Sequence, residues 1–264
     1  MRALSVTGVG GLSLSPAPTY SACTAAPVNV PETPCTASYT YTGDANHNGS
    51  SGSTTITITR APQAITWAAP ANIVFGTALS GTQLNASVAG VAGGSAPGAL
   101  TYTPAAGTIL SVGTQTLRVD AAATINYNAG YKTVTISVLY SMGACLGDLG
   151  HTILQPVNYD GSSVFQQKST VPAKFRVCDA NGNSIGTPGV VSSFRLVQTV
   201  YGTLVSTVDE SVVSTTPDTT FRWDPTAQQW IFNMNTKSLS SNMTYYYTIT
   251  LNDGSTINFR FGLK

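Results

Sequence analysis

The sequence predicts an all-β protein of tandem immunoglobulin-like β-sandwich modules, the first of which lacks its opening strands. Three observations predict this fold class. Threonine and isoleucine alternate in runs such as Ser53–Thr59, and a period of two is typical of strands. Only two glutamates, Glu32 and Glu210, occur in 264 residues, which is few for a helical protein. The third observation is an internal repeat.

The repeat relates residues 1–60 to residues 61–140. An offset of 80 matches the later part of both copies: Asn46, Asn48, Ile56 and Ile58 with Asn126, Asn128, Ile136 and Val138. An offset of 82 matches the earlier part: Val6, Gly8, Val9, Gly11, Thr19 and Tyr20 with Val88, Gly90, Val91, Gly93, Thr101 and Tyr102. The second copy begins near Ala61, so residues 61–83 precede the position that aligns with Met1. A module without its opening strands is expected to have an open groove.

The first module is expected to contain only strands and turns. Leu12–Leu14 alternates, and Ala37–Thr42 predicts a strand that leads into a Gly- and Asn-rich turn at Gly43–Gly49. Ser53–Thr59 then closes a hairpin. A short linker, Arg60–Pro62, follows.

The second module, residues 61–140, has the same plan with a full set of strands. Its candidate strands are Gln63–Trp67, Ile73–Phe75, Leu84–Val88, Leu100–Tyr102, Gln115–Val119 and Thr133–Val138. About seven short strands, separated by turns every 8–12 residues, are typical of an immunoglobulin-like sandwich.

The third module, residues 141–264, lies outside the repeat register and is also β. Ser169–Cys178 alternates, and turn signals at Asp179–Asn183, Asp224–Pro225 and Asn252–Ser255 predict three hairpins. One face of the alternating run is apolar: Val171, Ala173, Phe175 and Val177. Domain boundaries are therefore predicted near residues 60 and 141.

The cysteines form two pairs, each within one module: Cys23 with Cys35, and Cys145 with Cys178. No pair has the C-x-x-C spacing, and only His47 and His151 could join them at a metal, so zinc is not expected. The even count favours two disulfides and an oxidising compartment, each bond adding about 2–3 kcal/mol. Buried free thiols are the alternative.

The charge pattern excludes several classes of partner. Charged residues make up 9% of the chain and the net charge is +1, and no basic run indicates a nucleic acid or a membrane surface. No apolar segment is long enough to span a bilayer. The first eight residues lack the apolar core of a signal peptide. We therefore expect either an export signal that lies upstream or a sequence that is a piece of a longer chain.

Catalysis is not expected. Two histidines, two glutamates and nine aspartates form no pattern of a catalytic triad, a carboxylate pair or a metal site, so we predict neither an enzyme nor a cofactor. His47 is interpreted as a solvated turn residue and His151 as a residue packed in a loop. The loops that begin at Asp44 and Asp179 alternate oxygen side chains as calcium loops do, but each lacks the final acidic ligand. Hairpin tips are the favoured interpretation.

The aromatic residues leave two interpretations. Trp67, Trp223, Trp230 and the run Tyr245–Tyr247 are candidates for a platform on which sugar rings stack. Alternation instead assigns about half of them to the core, and core packing is favoured.

Residues 1–140 resemble the tandem immunoglobulin-like repeats of large bacterial surface proteins, with Gly43–Gly49 and Asn126–Asn128 placed before a final strand. Residues 141–264 resemble the PxKF domain found at the C-termini of such proteins. The matching segments are Pro172–Phe175, Phe221–Asp224, Thr236–Lys237 and Gly262–Lys264. The resemblance implies an extracellular location and a structural or adhesive role, and neither family carries a catalytic motif.

We therefore predict a structural subunit of an extracellular fibre or cell-surface stalk, a homopolymer in which copies assemble by strand complementation. The predicted subunit interface is the C-terminal run Ile257, Phe259, Phe261 and Leu263, which the resemblance also makes the last strand of its own module. Ile153–Val157 is a second candidate donor. The alternative function is a non-polymerising adhesin or carbohydrate-binding tip whose partners are surface glycans. A third alternative is a fragment with a frayed first module.

Overall fold

The structure is a computed structural model that describes residues 4–24, 26–32, 34–215 and 219–264. In these ranges helix is confined to two three-residue 3₁₀ helices, Val9–Gly11 and Val30–Glu32. Strands supply the rest of the regular structure. The predicted all-β class is confirmed.

The chain divides into two compact units. The first contains residues 1–68, 85–103 and 118–133, and the second contains residues 69–84, 104–117 and 134–264. Residues of the predicted second module occur in both units. The module boundaries near residues 60 and 141 stay predictions.

The first half of the chain carries eleven of the described strands. They are β1 (Val6–Thr7), β2 (Ser13–Leu14), β3 (Thr19–Ser21), β4 (Cys35–Tyr41), β5 (Ser50–Ile56), β6 (Ala64–Thr66), β7 (Ile73–Val74), β8 (Ser87–Ala89), β9 (Leu100–Thr103), β10 (Gly113–Ala121) and β11 (Gly130–Leu139). In the first unit, β3, β4 and β5 form an antiparallel sheet in that order, and β1 pairs with β2. β6 pairs with β8, and β9 pairs with residues 118–121 of β10.

The remaining described strands belong to the second unit. They are β12 (Ile153–Leu154), β13 (Val164–Phe165), β14 (Thr170–Phe175), β15 (Val191–Tyr201), β16 (Leu204–Ser211), β17 (Arg222–Asp224), β18 (Gln229–Asn235), β19 (Met243–Leu251) and β20 (Thr256–Leu263). One sheet has the order β12-β14-β18-β17 and the other β13-β20-β19-β15-β16. In the same unit, β7 runs parallel to the end of β11, with Ile73 opposite Val138.

One apolar core lies between these two sheets. Alternate residues of β14, β18, β19 and β20 supply it, because side chains on one face of a strand recur every second position. Val171, Ala173, Phe175 and Val177 are fully buried, so the predicted apolar face of Ser169–Cys178 is confirmed. The turn at Asp224–Pro225 joins β17 to β18, and the turn at Asn252–Ser255 joins β19 to β20.

The internal repeat reappears as corresponding strands. Shifted by 80 positions, β4 and β5 fall inside β10 and β11. Shifted by 82, β1 and β3 fall inside β8 and β9. The same local patterns therefore form the same elements in both copies.

Candidate functional site

The candidate site begins with an uncovered strand, β5, in the first unit. β5 lies at the edge of its sheet, beside β4, and all seven of its residues are exposed. It contains no charged residue, no proline and no register shift against β4. Charged residues, prolines and register shifts commonly protect an edge strand from pairing with another chain, and β5 has none of them. The backbone groups on the outer side of β5 are therefore open to another strand.

One face of this sheet borders a groove of about 800 Å³, which we call the open groove. Tyr20, Ala37 and Thr54 lie opposite one another across the three strands, so their side chains share a face, and all three line the groove together with Leu4 and Ile56. The other face is made only of serine and threonine: Thr19, Ser21, Thr36, Ser38, Thr40, Ser51, Ser53 and Thr55. The apolar side chains that border the groove come from the first of these faces, and Ser38, Ser53 and Thr55 of the other face line it as well.

Equivalent positions of the repeat differ in burial. Leu117 is fully buried, whereas its counterpart Ala37 is half-buried. Ile136 is 2% exposed, whereas its counterpart Ile56 is 38% exposed. The same side chain, isoleucine, thus belongs to a closed core in one copy and to an open face in the other.

The difference follows from the neighbouring strands. In the second copy β6 pairs with β8, and β7 pairs with β11. β1 corresponds to β8 and pairs with β2. β5 corresponds to β11 and pairs with β4. Within the described residues, β2 pairs antiparallel with β1 as β6 does with β8, but no strand occupies beside β5 the place that β7 holds beside β11.

A side chain that the sequence analysis did not single out joins the two copies inside the first unit. The Asn126 amide donates hydrogen bonds to Asn29 Oδ1 (2.8 Å) and Ser95 Oγ (2.9 Å), and its Oδ1 accepts one from the Val30 amide (2.9 Å). The bonds to Asn29 and Val30 connect residues 97 and 96 positions apart in sequence. Its place in an Asn-rich turn was visible in the sequence, but alternation carries no signal for partners that far away.

Both predicted cysteine pairs are bonded: Cys23 with Cys35, and Cys145 with Cys178, each with its Cα atoms 5.5 Å apart. Cys35 opens β4, so the first bond ties the preceding loop to the sheet of the open groove. The second bond is buried in the second unit.

The turn at Asp44 satisfies its own polar groups. The carboxylate accepts hydrogen bonds from the Tyr41 hydroxyl (2.6 Å) and the Asn46 amide (2.8 Å), and it contacts His47 Nδ1 (2.8 Å). These contacts, the Tyr41 bond first, hold the pKa of Asp44 well below its usual range, and the same bond raises the pKa of Tyr41 to about 12. His47 Nε2 lies 2.8 Å from the Val9 carbonyl oxygen, which together with Asp44 raises the pKa of the imidazole.

The interpretation of His47 as a solvated turn residue is wrong, because its side chain is only 19% exposed and both ring nitrogens have partners. The turn at Asp179 is closed in a similar way, since Asp179 Oδ1 accepts from the amides of Asn181 (2.8 Å) and Asn183 (2.9 Å). No group of three or more His, Cys, Asp or Glu side chains in the described ranges could hold a metal ion.

The predicted interface residues Ile257, Phe259, Phe261 and Leu263 are all buried in the core of the second unit. Their strand, β20, is already paired with β19 on one side and β13 on the other. This placement argues against the predicted subunit interface, because these four side chains are buried and β20 is paired with β19 from Thr256 to Leu263. Ile153 and Val157, from the second candidate segment, are buried as well.

Most of the candidate stacking aromatics also pack inside. Trp67, Trp230, Tyr245 and Tyr247 are buried. Tyr246 points to the opposite side of β19, as alternation requires. Most of these aromatic rings are therefore not available at the surface for stacking on a sugar.

Comparisons with known proteins identify no family. No protein-family model and no curated protein matches the chain. One similar solved structure is the Bacteroides ovatus mixed-linkage glucan utilization locus protein SGBP-B in complex with a mixed-linkage heptasaccharide, with 11% identity, a TM-score of 0.21, and coverage of 75% of this chain and 43% of that chain. The chain thus spans less than half the length of that relative.

A second similar structure is that of the fibronectin(III)-like modules of Clostridium thermocellum CbhA, with 11% identity, a TM-score of 0.22, and coverage of 76% of this chain and 94% of that chain. In the part of the chain that the structure describes, no helix is long and apolar enough to cross a membrane.

Proposed function

We propose that this chain is a structural subunit of an extracellular fibre or cell-surface stalk, in which an extended strand from a neighbouring copy enters the open groove. The observation that carries the proposal is the uncovered edge of β5 beside an apolar groove of about 800 Å³. Strand addition at an exposed edge gains affinity from main-chain hydrogen bonds and specificity from alternate side chains. β5 offers both kinds of contact.

The second copy of the repeat indicates how the incoming strand would lie. There, β7 runs parallel to the end of β11, and β6 runs antiparallel to β8. By the repeat offsets, the donor would run parallel to the chain near Ile58 and cover the side chain of Ile56. A seven-residue strand presents about three side chains to one face, and burying three large apolar ones contributes about 5–9 kcal/mol before the cost of ordering.

Two further features support a stalk outside the cytoplasm. The two disulfides are bonds that form and persist in oxidising compartments. The Asn126 hydrogen bonds connect residues of both copies of the repeat within the first unit, which suits a module that transmits force along a chain. The role that these features support is mechanical, without catalysis.

The test is the mass of the particle in solution, measured by light scattering over a range of concentrations. The parent chain is expected to form oligomers, and a variant with residues 61–83 grafted in front of residue 3 is expected to be a monomer, because the graft fills the open groove within its own chain. A parent chain that stays monomeric at every concentration would contradict the proposal. So would a grafted chain that assembles as the parent does.

A matched pair of point variants locates the contact. Thr54→Lys places a charge on the groove face of β5, whereas Ser51→Lys places the same charge on the serine- and threonine-rich face of the same strand, at a residue that does not line the groove. Assembly should be lost in the first variant and kept in the second. Equal behaviour of the two variants would show that the groove face is not the contact.

A further inference from the structure

A second concave surface lies on the solvent side of the five-stranded sheet in the second unit. It is a groove of about 440 Å³, within the roughly 300–1,000 Å³ range of small-molecule sites. Its chemistry comes mainly from Tyr159, Gln198, Tyr246, Asn258 and Arg260. We call these five residues the polar-aromatic face.

Alternation along two paired strands builds the centre of this face. In β19, Tyr245 and Tyr247 are buried, so Tyr246 between them points to the solvent side. In β20, Phe259 is buried and Arg260 is exposed. Tyr246 lies directly opposite Arg260 in the register, so an aromatic ring and a guanidinium group stand side by side on the outer surface.

A β-bulge adds the amide of Gln198 to this row. Leu196 lies opposite Tyr247 and is buried, and the register then shifts so that Gln198 lies opposite Tyr246. In a register without the bulge, Val197 would lie opposite Tyr246, and Gln198 would lie opposite Tyr245 on the core side with Leu196. The bulge therefore places a polar amide on the outer surface beside Tyr246.

A turn at residues 159–161 forms the wall of the groove. The backbone of Gly161 has a φ of +78°, and a Cβ at this position would overlap the side chain of Arg260, so the turn and the arginine are in direct contact. Arg260 Nη1 donates a hydrogen bond to the Tyr246 hydroxyl (2.9 Å), and its guanidinium carbon lies 5.5 Å from the centre of that ring. The ring of Tyr159 is left 72% exposed at the rim.

The groups that converge here match a polyhydroxylated ligand. Arg260 supplies donors, Asp160 supplies acceptors, and the amides of Gln198 and Asn258 supply both. A sugar hydroxyl also donates and accepts, and the C–H face of a sugar ring packs on an aromatic ring such as Tyr159. The charges that line the groove balance, since its lining contains one cation, Arg260, and one carboxylate, Asp160. A carboxylated ligand would therefore gain little net attraction.

We propose that the polar-aromatic face is a binding site for a neutral oligosaccharide. The site lies in the second unit, whereas the open groove belongs to the first. Glycan binding and strand complementation rest on different residues, so either can fail without the other.

The test uses affinity electrophoresis of the full chain in gels that contain a soluble glucan, a galactomannan, a xylan or alginate, followed by calorimetry with oligomers of the best ligand. The parent chain is expected to bind at least one neutral polysaccharide more tightly than alginate. Tyr159→Ala is expected to weaken binding about tenfold, and Gln198→Ala about three- to tenfold. Tyr159→Phe, which keeps the ring, should bind within about threefold of the parent.

Tyr201→Ala is the matched control, because Tyr201 is a similarly exposed tyrosine, 58% accessible, that does not line the groove. It should bind as the parent does. Emission from Trp223 and Trp230, which belong to the same unit, checks that each variant is folded. Absence of binding to all three neutral polysaccharides would overturn the proposal. Tighter binding to alginate, or a Tyr159→Ala variant that binds as the parent, would also overturn it.

Discussion

Removal of the Cys145–Cys178 bond should destabilise the second unit substantially. The bond joins residues separated by 33 positions, and a loop of that size corresponds to about 3.7 kcal/mol of loop-closure entropy in the unfolded chain. With a urea dependence of about 2 kcal/mol per molar, the double variant Cys145→Ala/Cys178→Ala should unfold at a urea concentration about 1.8 M lower than the parent.

Tryptophan emission in a Trp67→Phe background is a suitable assay, because the two remaining tryptophans, Trp223 and Trp230, both lie in the second unit. The control is Cys23→Ala/Cys35→Ala, which removes a bond across 12 positions in the first unit and should leave the transition of the second unit in place. An unchanged midpoint in the Cys145→Ala/Cys178→Ala variant would refute the loop-closure reasoning. So would the discovery of four free thiols by non-reducing peptide mapping of the parent.

Four other substitutions test burial. Ile136→Ala should lower the free energy of unfolding in urea by about 3 kcal/mol. Ile56→Ala should lower it by less than about 1.5 kcal/mol, because Ile56 is 38% exposed. Equal losses would contradict the open face. Burial lowers the pKa of His151, so the folded state favours the neutral ring. Stability should therefore fall as the pH drops below about 6.5. The urea midpoints at pH 7.5 and 5.5 should differ less in His151→Gln than in the parent. A Cβ at Gly186 would overlap the Trp223 ring, so Gly186→Ala should cost about 1–3 kcal/mol and shift tryptophan emission to longer wavelength; unchanged emission and stability would contradict that contact.

Much of the strand structure could be predicted because the signals are local. The alternation in Ser169–Cys178 and the turn residues at Asn252–Ser255 determine faces and hairpins within a few positions. The repeat adds a second, independent signal, since the same pattern recurs 80 residues later. Neither signal depends on knowing what covers the strand.

Local signals could not predict which polypeptide covers the apolar face of an alternating strand. Ile257, Phe259, Phe261 and Leu263 alternate as a donor strand would, but a strand that completes its own core has the same pattern. The pairing of β20 with β13 and β19 decides between the two. Sequence alternation identifies an apolar face without identifying which polypeptide covers it.

Contacts between residues that are far apart in sequence could not be predicted from the sequence either. His47 meets the Val9 carbonyl oxygen across 38 positions, and Asn126 bonds the Val30 amide across 96. The bulge at Val197 is a third case, because a single extra residue changes which face Gln198 occupies without altering the composition of the strand. Each of these features positions a polar group, and each depends on tertiary packing.

The comparison of Ile56 with Ile136 links the fold to the proposed function. Both residues follow the same local pattern, and both lie in strands that correspond under the repeat. Their exposures differ, 38% against 2%: β7 pairs with the end of β11, whereas no described strand holds the corresponding place beside β5. The sequence of β5 and its neighbours is therefore already suited to a closed core, and a strand from another copy that supplied the cover would complete an arrangement that the chain forms by itself 80 residues later.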